Sequence, residues 1–155
     1  MKESAHGLQS CALAVALVIA GCGRPSVSGG YIGEDSTFGK VRLVFSQAGD
    51  GITGTWQAHP SSNNVLSDGL ETNGTLAGKM VVHRHWYGAM RRAELTLLLE
   101  SKAAGPYAGC VIAITKAGVA GDGASIDAPY STMTPQCPTG GGLMAIGRWH
   151  LVRDQ

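Results

Sequence analysis

Glycine placement is the strongest constraint on what this chain can fold into. Glycine makes up 23 of its 155 residues, with no collagen period. Between the glycines run short stretches in which apolar and polar residues alternate. Period-two alternation sends one set of side chains to a buried face and the other to water, the mark of a half-buried strand. Clusters of Gly, Asp, Asn and Ser between such runs supply tight turns. An all-β domain of many short strands is the expectation.

The strands can be placed one by one. Tyr31-Ile32 opens the first. KVRLVFSQ (40–47) sets Val41, Leu43 and Phe45 on one face, with Arg42 and Ser46 on the other. Ala48-Gly49-Asp50-Gly51 turns the chain into ITGTWQAH (52–59), with Ile52, Gly54, Trp56 and Ala58 inward. A polar loop, PSSNNVLSDG (60–69), follows. Residues 72–85 then carry one or two strands, and Asn73-Gly74 is a good hairpin turn between them. AELTLLLES (93–101) has helical propensity, yet Leu95, Leu97 and Leu99 alternate and the neighbouring segments are strand-like, so a strand is expected. CVIAITK (110–116), SIDAPYS (125–131) and LMAIGRWHLV (143–152) complete the set. In the last, Arg148, His150 and Arg153 alternate with Trp149 and Leu151, as a final barrel strand would. About eight strands at this spacing predict a single antiparallel up-and-down β-barrel over residues 31–155, closed so that no sheet edge is exposed. Ala120-Gly121-Asp122-Gly123 echoes the turn at 48–51, which a shared turn type explains as well as duplication does.

Ahead of this domain stands a different kind of segment. Lys2 gives a short positive start, and CALAVALVIA (11–20) is an unbroken apolar run. That run is half the roughly 20 residues a spanning helix needs, and it fits the apolar core of an export signal. It ends in Ile19-Ala20-Gly21-Cys22, which resembles the lipobox of bacterial lipoproteins. The resemblance implies a signal peptide over 1–21, cleavage after Gly21, a diacylglyceryl thioether on Cys22 and acylation of the new amino terminus. The alternative is an ordinary secretory leader with an incidental cysteine. Gly23, not Asp, follows the cysteine, which by analogy with enteric lipoproteins points to the outer membrane. Residues 22–30 then read as the lipidated cysteine and a flexible polar tether, its last eight residues spanning roughly 15 Å.

Composition narrows the function. The net charge of +1 argues against nucleic acid as a partner, because phosphate binding needs a concentrated basic surface. Cys110 and Cys137 are the spare cysteines of the exported domain and are expected to pair as a disulfide. His83 and His85 fall on one face of a strand, a geometry that permits a metal. A third ligand would have to come from His59, His150 or a carboxylate, and the alternative is a solvated strand face. Arg84, Arg91 and Arg92 make the one local basic cluster, which would touch anionic headgroups if it faced a bilayer. No nucleophile elbow, zinc-protease helix motif, phosphate loop or paired Cys–His occurs, so no catalytic residue and no cofactor is assigned.

Tyr31 between Gly30 and Gly33, Gly51-Ile52-Thr53-Gly54-Thr55-Trp56 and a closing strand near Arg153 look like the small glycine-rich β-barrel lipoproteins of bacteria, a group with no agreed activity. Asp50 to Trp56 is also similar to a strand of avidin-type barrels, although no ligand-contacting set maps onto the chain. Lysozyme-inhibitor lipoproteins share the size and a barrel fold, without a recognisable inhibitory loop here. The leading expectation is a lipid-anchored, non-enzymatic binding module of the cell envelope. One alternative is a calycin-like carrier with a small apolar ligand among Val41, Leu43, Trp56, Leu97 and Trp149. The other is an inhibitor or envelope interaction module acting on a protein through the loop at 60–69.

Overall fold

A computed structural model describes residues 25–59, 71–84, 91–102, 104, 107–137 and 144–155. Eight strands run in chain order: β1 (Gly29–Asp35), β2 (Gly39–Ala48), β3 (Gly51–His59), β4 (Thr72–Arg84), β5 (Arg91–Ser101), β6 (Val111–Val119), β7 (Ser125–Thr132) and β8 (Ile146–Arg153). Each pairs antiparallel with the next, and β8 returns to β1 to close an up-and-down barrel. The segment at 93–101 is a strand, with Ala93, Leu95, Leu97 and Leu99 all inward. Burial of its leucines on one face overrides the helical propensity of Ala, Glu and Leu.

The barrel has two ends. One carries both termini of the domain, the β2–β3 turn, the β4–β5 connection and the β6–β7 turn; it is called here the terminal end. The other carries the β1–β2 turn and the connections before β4, β6 and β8, and is the distal end. Cys110 and Cys137 are joined at the distal end, with Cα atoms 4.5 Å apart.

Asn73-Gly74 is not a turn. Residues 72–84 form one continuous strand, in which Gly74 sits opposite Trp56 on β3. A Cβ at Gly74 would lie 1.8 Å from the Glu100 carbonyl oxygen and 2.7 Å from Trp56 Nε1. The glycine is there because a large indole and a neighbouring backbone crowd it, a use of glycine that looks identical to a turn signal in sequence. The two Ala-Gly-Asp-Gly turns also differ. Positive φ falls on the second residue of the first, Gly49 (61°), and on the fourth residue of the other, Gly123 (69°). β6 carries a bulge: inward residues step from Ile112 and Ile114 to Ala117 and Val119, and Lys116 between them has φ 55°. Register shifts on both flanking ladders mark the same place.

Inside, one continuous apolar cluster fills the barrel. Phe38 closes its distal end, edge-on to Tyr130 and to Trp149 at 5.5 Å each, while Tyr130 and Trp149 lie 4.5 Å apart. Asp35 shapes the turn beneath them by accepting the Thr37 and Phe38 amides at 3.1 and 2.7 Å and the Tyr130 hydroxyl. Val27, wholly buried, plugs the terminal end.

Candidate functional site

The barrel interior was the first place to expect a ligand. A hollow wide enough for one exposes its lining atoms to a water-sized sphere whether or not it opens outward. Val41, Leu43, Trp56, Leu97 and Trp149 retain only 0–2% of their surface. The cavity expected among them is filled by the side chains themselves, as a barrel of eight strands permits. The interior polar groups are spent within the protein. Trp56 Nε1 donates to the Glu100 carbonyl at 3.3 Å, the Tyr31 hydroxyl donates to the Gly123 carbonyl at 2.6 Å and the Tyr130 hydroxyl donates to Asp35. Burial pushes both phenols up from their ordinary range, and at Tyr130 the bond to the Asp35 carboxylate adds to it. Trp149 Nε1 is the one buried side-chain nitrogen or oxygen without a partner among the described residues.

The terminal end corrects the expected place of Arg153, which its two-residue spacing from Leu151 already puts on the inward face. Arg153 shares the inward phase of Trp149 and Leu151, not the outward phase of Arg148 and His150. Too long and too charged for the core, it folds over the barrel end. Its guanidinium donates to the Ser26 and Ser28 carbonyls at 2.8 Å each and to the Tyr31 hydroxyl at 2.8 Å. It also lies 5.1 Å from the Tyr31 ring centre. The Val27 amide donates to Gln47 Oε1 at 2.9 Å, and the Gln47 amide donates to Ser28 Oγ at 3.1 Å. A Cβ at Gly123 would lie 2.4 Å from the Ser26 carbonyl oxygen, so only glycine lets the strap pass. The stretch expected as tether is thus packed on the barrel from Pro25 onward, and Gly29-Gly30 already belong to β1. Cys22 and residues 1–24 lie outside the described residues.

The β4–β5 hairpin brings the basic cluster together by register: Arg84 faces Arg91, and His83 faces Arg92. His83 Nε2 lies 3.1 Å from Glu94 Oε2, whose other oxygen lies 3.4 Å from Arg92 Nε. His85 and the loop at 60–69 lie outside the described residues. The other two histidines weighed as ligands are far from His83, one at the opposite end of the neighbouring strand and one four strands away. His59 on β3 contacts Glu71 at 2.9 Å, and His150 is on β8. No group of three or more metal-ligating side chains occurs among the described residues.

His59 and His150 both line one groove on the outer wall. The β1–β8 ladder ends at Ile32↔Val152, and beyond it a Cβ at Gly33 would lie 2.9 Å from the His150 carbonyl oxygen. Over this seam lies an open groove of about 490 Å³, with Ile32 and Val152 beside Glu34, Lys40, His59 and His150. Arg42 at its margin is held 2.8 Å from Asp154. Apolar floor and mixed-charge rim suit a surface contact with a peptide or polar headgroup. Among its described lining residues no nucleophile–base pair occurs. Comparison with protein-family models, curated proteins and solved structures found no match.

Proposed function

We propose that this chain is a lipid-anchored lipoprotein of the bacterial envelope whose barrel is a non-enzymatic binding module that works through its outside. The observation that carries the reading is the pairing of a lipobox-like Ile19-Ala20-Gly21-Cys22 with a barrel closed and filled directly behind it. A filled interior favours surface recognition over carriage of a small apolar ligand. The wall supports a position beside the bilayer and not across it. Outward positions are largely polar, as at Lys40, Arg42, Gln57, Lys79, Glu100 and Arg148, with Ile32, Val44, Val81, Leu98, Ile146 and Val152 interspersed, while the inward ones are apolar, against the pattern of a membrane-spanning barrel. Among the described residues no helix is long and apolar enough to cross a membrane. Gly23 after the cysteine, by analogy with enteric lipoproteins, supports an outer-membrane anchor.

Mass spectrometry of the membrane fraction is the test. The expected mature chain starts at Cys22 with diacylglycerol on its sulfur and an acylated amino terminus, and Cys22→Ser moves the protein to the soluble fraction. A soluble, unmodified wild-type chain would refute the anchor.

A further inference from the structure

We infer that the barrel stands end-on to the bilayer, its terminal end and the β4–β5 hairpin against anionic headgroups; this rests on lipidation at Cys22. Pro25 is buried and Arg153 holds the Ser26 and Ser28 carbonyls, so the anchored end of the domain begins at Pro25. From Cys22 to Pro25 is three residue steps, which an extended chain covers in at most about 11 Å. A reach that short leaves no freedom to turn the distal end, the far side of the barrel, toward the lipid.

The hairpin on that same end reaches out by a similar amount. The Met80 amide bonds to the Asp50 carbonyl, which levels Met80 with the β2–β3 turn, and β4 continues to Arg84. Four further residues rise about 13 Å along a strand, or near 10 Å in height at a barrel tilt of ~40°. Among the described residues the register sets Arg84 and Arg91 farthest out, with Arg92 next and exposed. Glu94 faces Arg92 and His83 from below, and the carboxylates of the flanking turns are Asp50 and Asp122, the latter engaged with the Ala124 amide at 2.9 Å. Asp50 lies about 10 Å below the level of Arg84 and Arg91, beyond the ~8 Å Debye length of physiological salt, and about 8 Å below Arg92, so among the described residues the headgroups meet arginine before carboxylate.

Two arms test this on the mature chain. In the first, lipidated protein carries a fluorophore on Ala124→Cys at the terminal end or on Ser36→Cys at the distal end, in vesicles containing quencher-bearing lipid. Several-fold stronger quenching at position 124 is expected; equal or reversed quenching overturns the orientation. The intact mass of the same sample separates the two ideas, because a Cys22 without lipid overturns the anchoring reading itself. In the second, unlipidated Cys22→Ser protein is sedimented with phosphatidylcholine vesicles, with and without phosphatidylglycerol. Several-fold more binding to the anionic vesicles is expected, lost in high salt and in R84Q/R91Q/R92Q of unchanged thermal stability. Equal binding to both vesicles, or full binding by the triple variant, overturns the hairpin contact whether or not the anchor stands.

Discussion

Replacing Arg153 by alanine tests whether one side chain ties the amino-terminal strap to the barrel. The guanidinium makes three donor contacts at 2.8 Å, to the Ser26 and Ser28 carbonyls and the Tyr31 hydroxyl, and covers the Tyr31 ring. A hydrogen bond to a charged group contributes about 1.5–3 kcal/mol when buried, and a partly exposed cation–π contact about 0.5–1 kcal/mol. The two serine carbonyls are exposed enough for water to replace the arginine, so the sum does not apply. Tyr31 keeps its 2.6 Å bond to the Gly123 carbonyl. A net loss of about 2–3 kcal/mol is expected, or a fall in Tm of very roughly 5–15 °C for a domain of this size. Amide hydrogen exchange locates the loss. The Val27 and Gln47 amides should lose protection by a much larger factor than those of Leu43 or Leu97, since only the strap is released. Arg153→Lys should recover part of the effect, because one ammonium cannot fork to two carbonyls and a hydroxyl at once. If Arg153→Ala left Val27 exchange unchanged and stability within about 0.5 kcal/mol, the strap would be held by Val27 burial and the Gln47 bonds and not by the arginine.

Gly74→Ala should destabilise by about 3 kcal/mol or more, since its Cβ would meet a backbone carbonyl at 1.8 Å that cannot yield cheaply; a thermal melt close to wild type would show that the β4–β5 ladder moves freely there. Breaking the Cys110–Cys137 bond opens a loop closed over a separation of 27 residues, and the denaturant midpoint should fall by the equivalent of about 3–4 kcal/mol in reductant or in C110A/C137A. Tyr31 and Tyr130 have folded pKa values raised above their ordinary value, chiefly by burial. Unfolded phenols therefore ionise first. Their contribution is complete below about pH 10 and is lost as pH rises through the folded values. Denaturant titrations through the alkaline range should show falling stability, with a shallower fall in Tyr130→Phe; equal slopes in both proteins would contradict the assignment.

The local layers of this protein can be read without its structure, because they depend on neighbours in sequence. Alternation at 40–47 and 52–59 places Val41, Leu43, Phe45, Ile52 and Trp56 inward, and all are buried. The strand over 93–101 and the pairing of Cys110 with Cys137 are legible from periodicity and cysteine economy, and both are present. Asn73-Gly74 misleads because two causes of glycine, turn and crowding, leave the same residue behind, and only the facing Trp56 distinguishes them. Arg153 stands two residues past Leu151, so alternation itself puts it on the inward face, and grouping it with Arg148 and His150 is an error of parity. What the sequence does not carry is its partners, the Ser26 and Ser28 carbonyls, which barrel closure brings from more than 100 residues away. Whether the interior is hollow turns on how far eight walls approach one another, and no single wall records that distance. The amino terminus divides in the same way. Composition marks residues 22–30 as polar chain behind an apolar run that resembles an export signal, whereas the tertiary contacts of Arg153, Gln47 and Gly123 take Pro25 to Gly30 into the barrel. Sequence by itself determines most of the strands and inward faces and carries the lipobox-like motif Ile19-Ala20-Gly21-Cys22. Which end of the barrel that motif leads into is decided only by long-range packing, since direction in space is a property of the closed sheet and not of any segment within it.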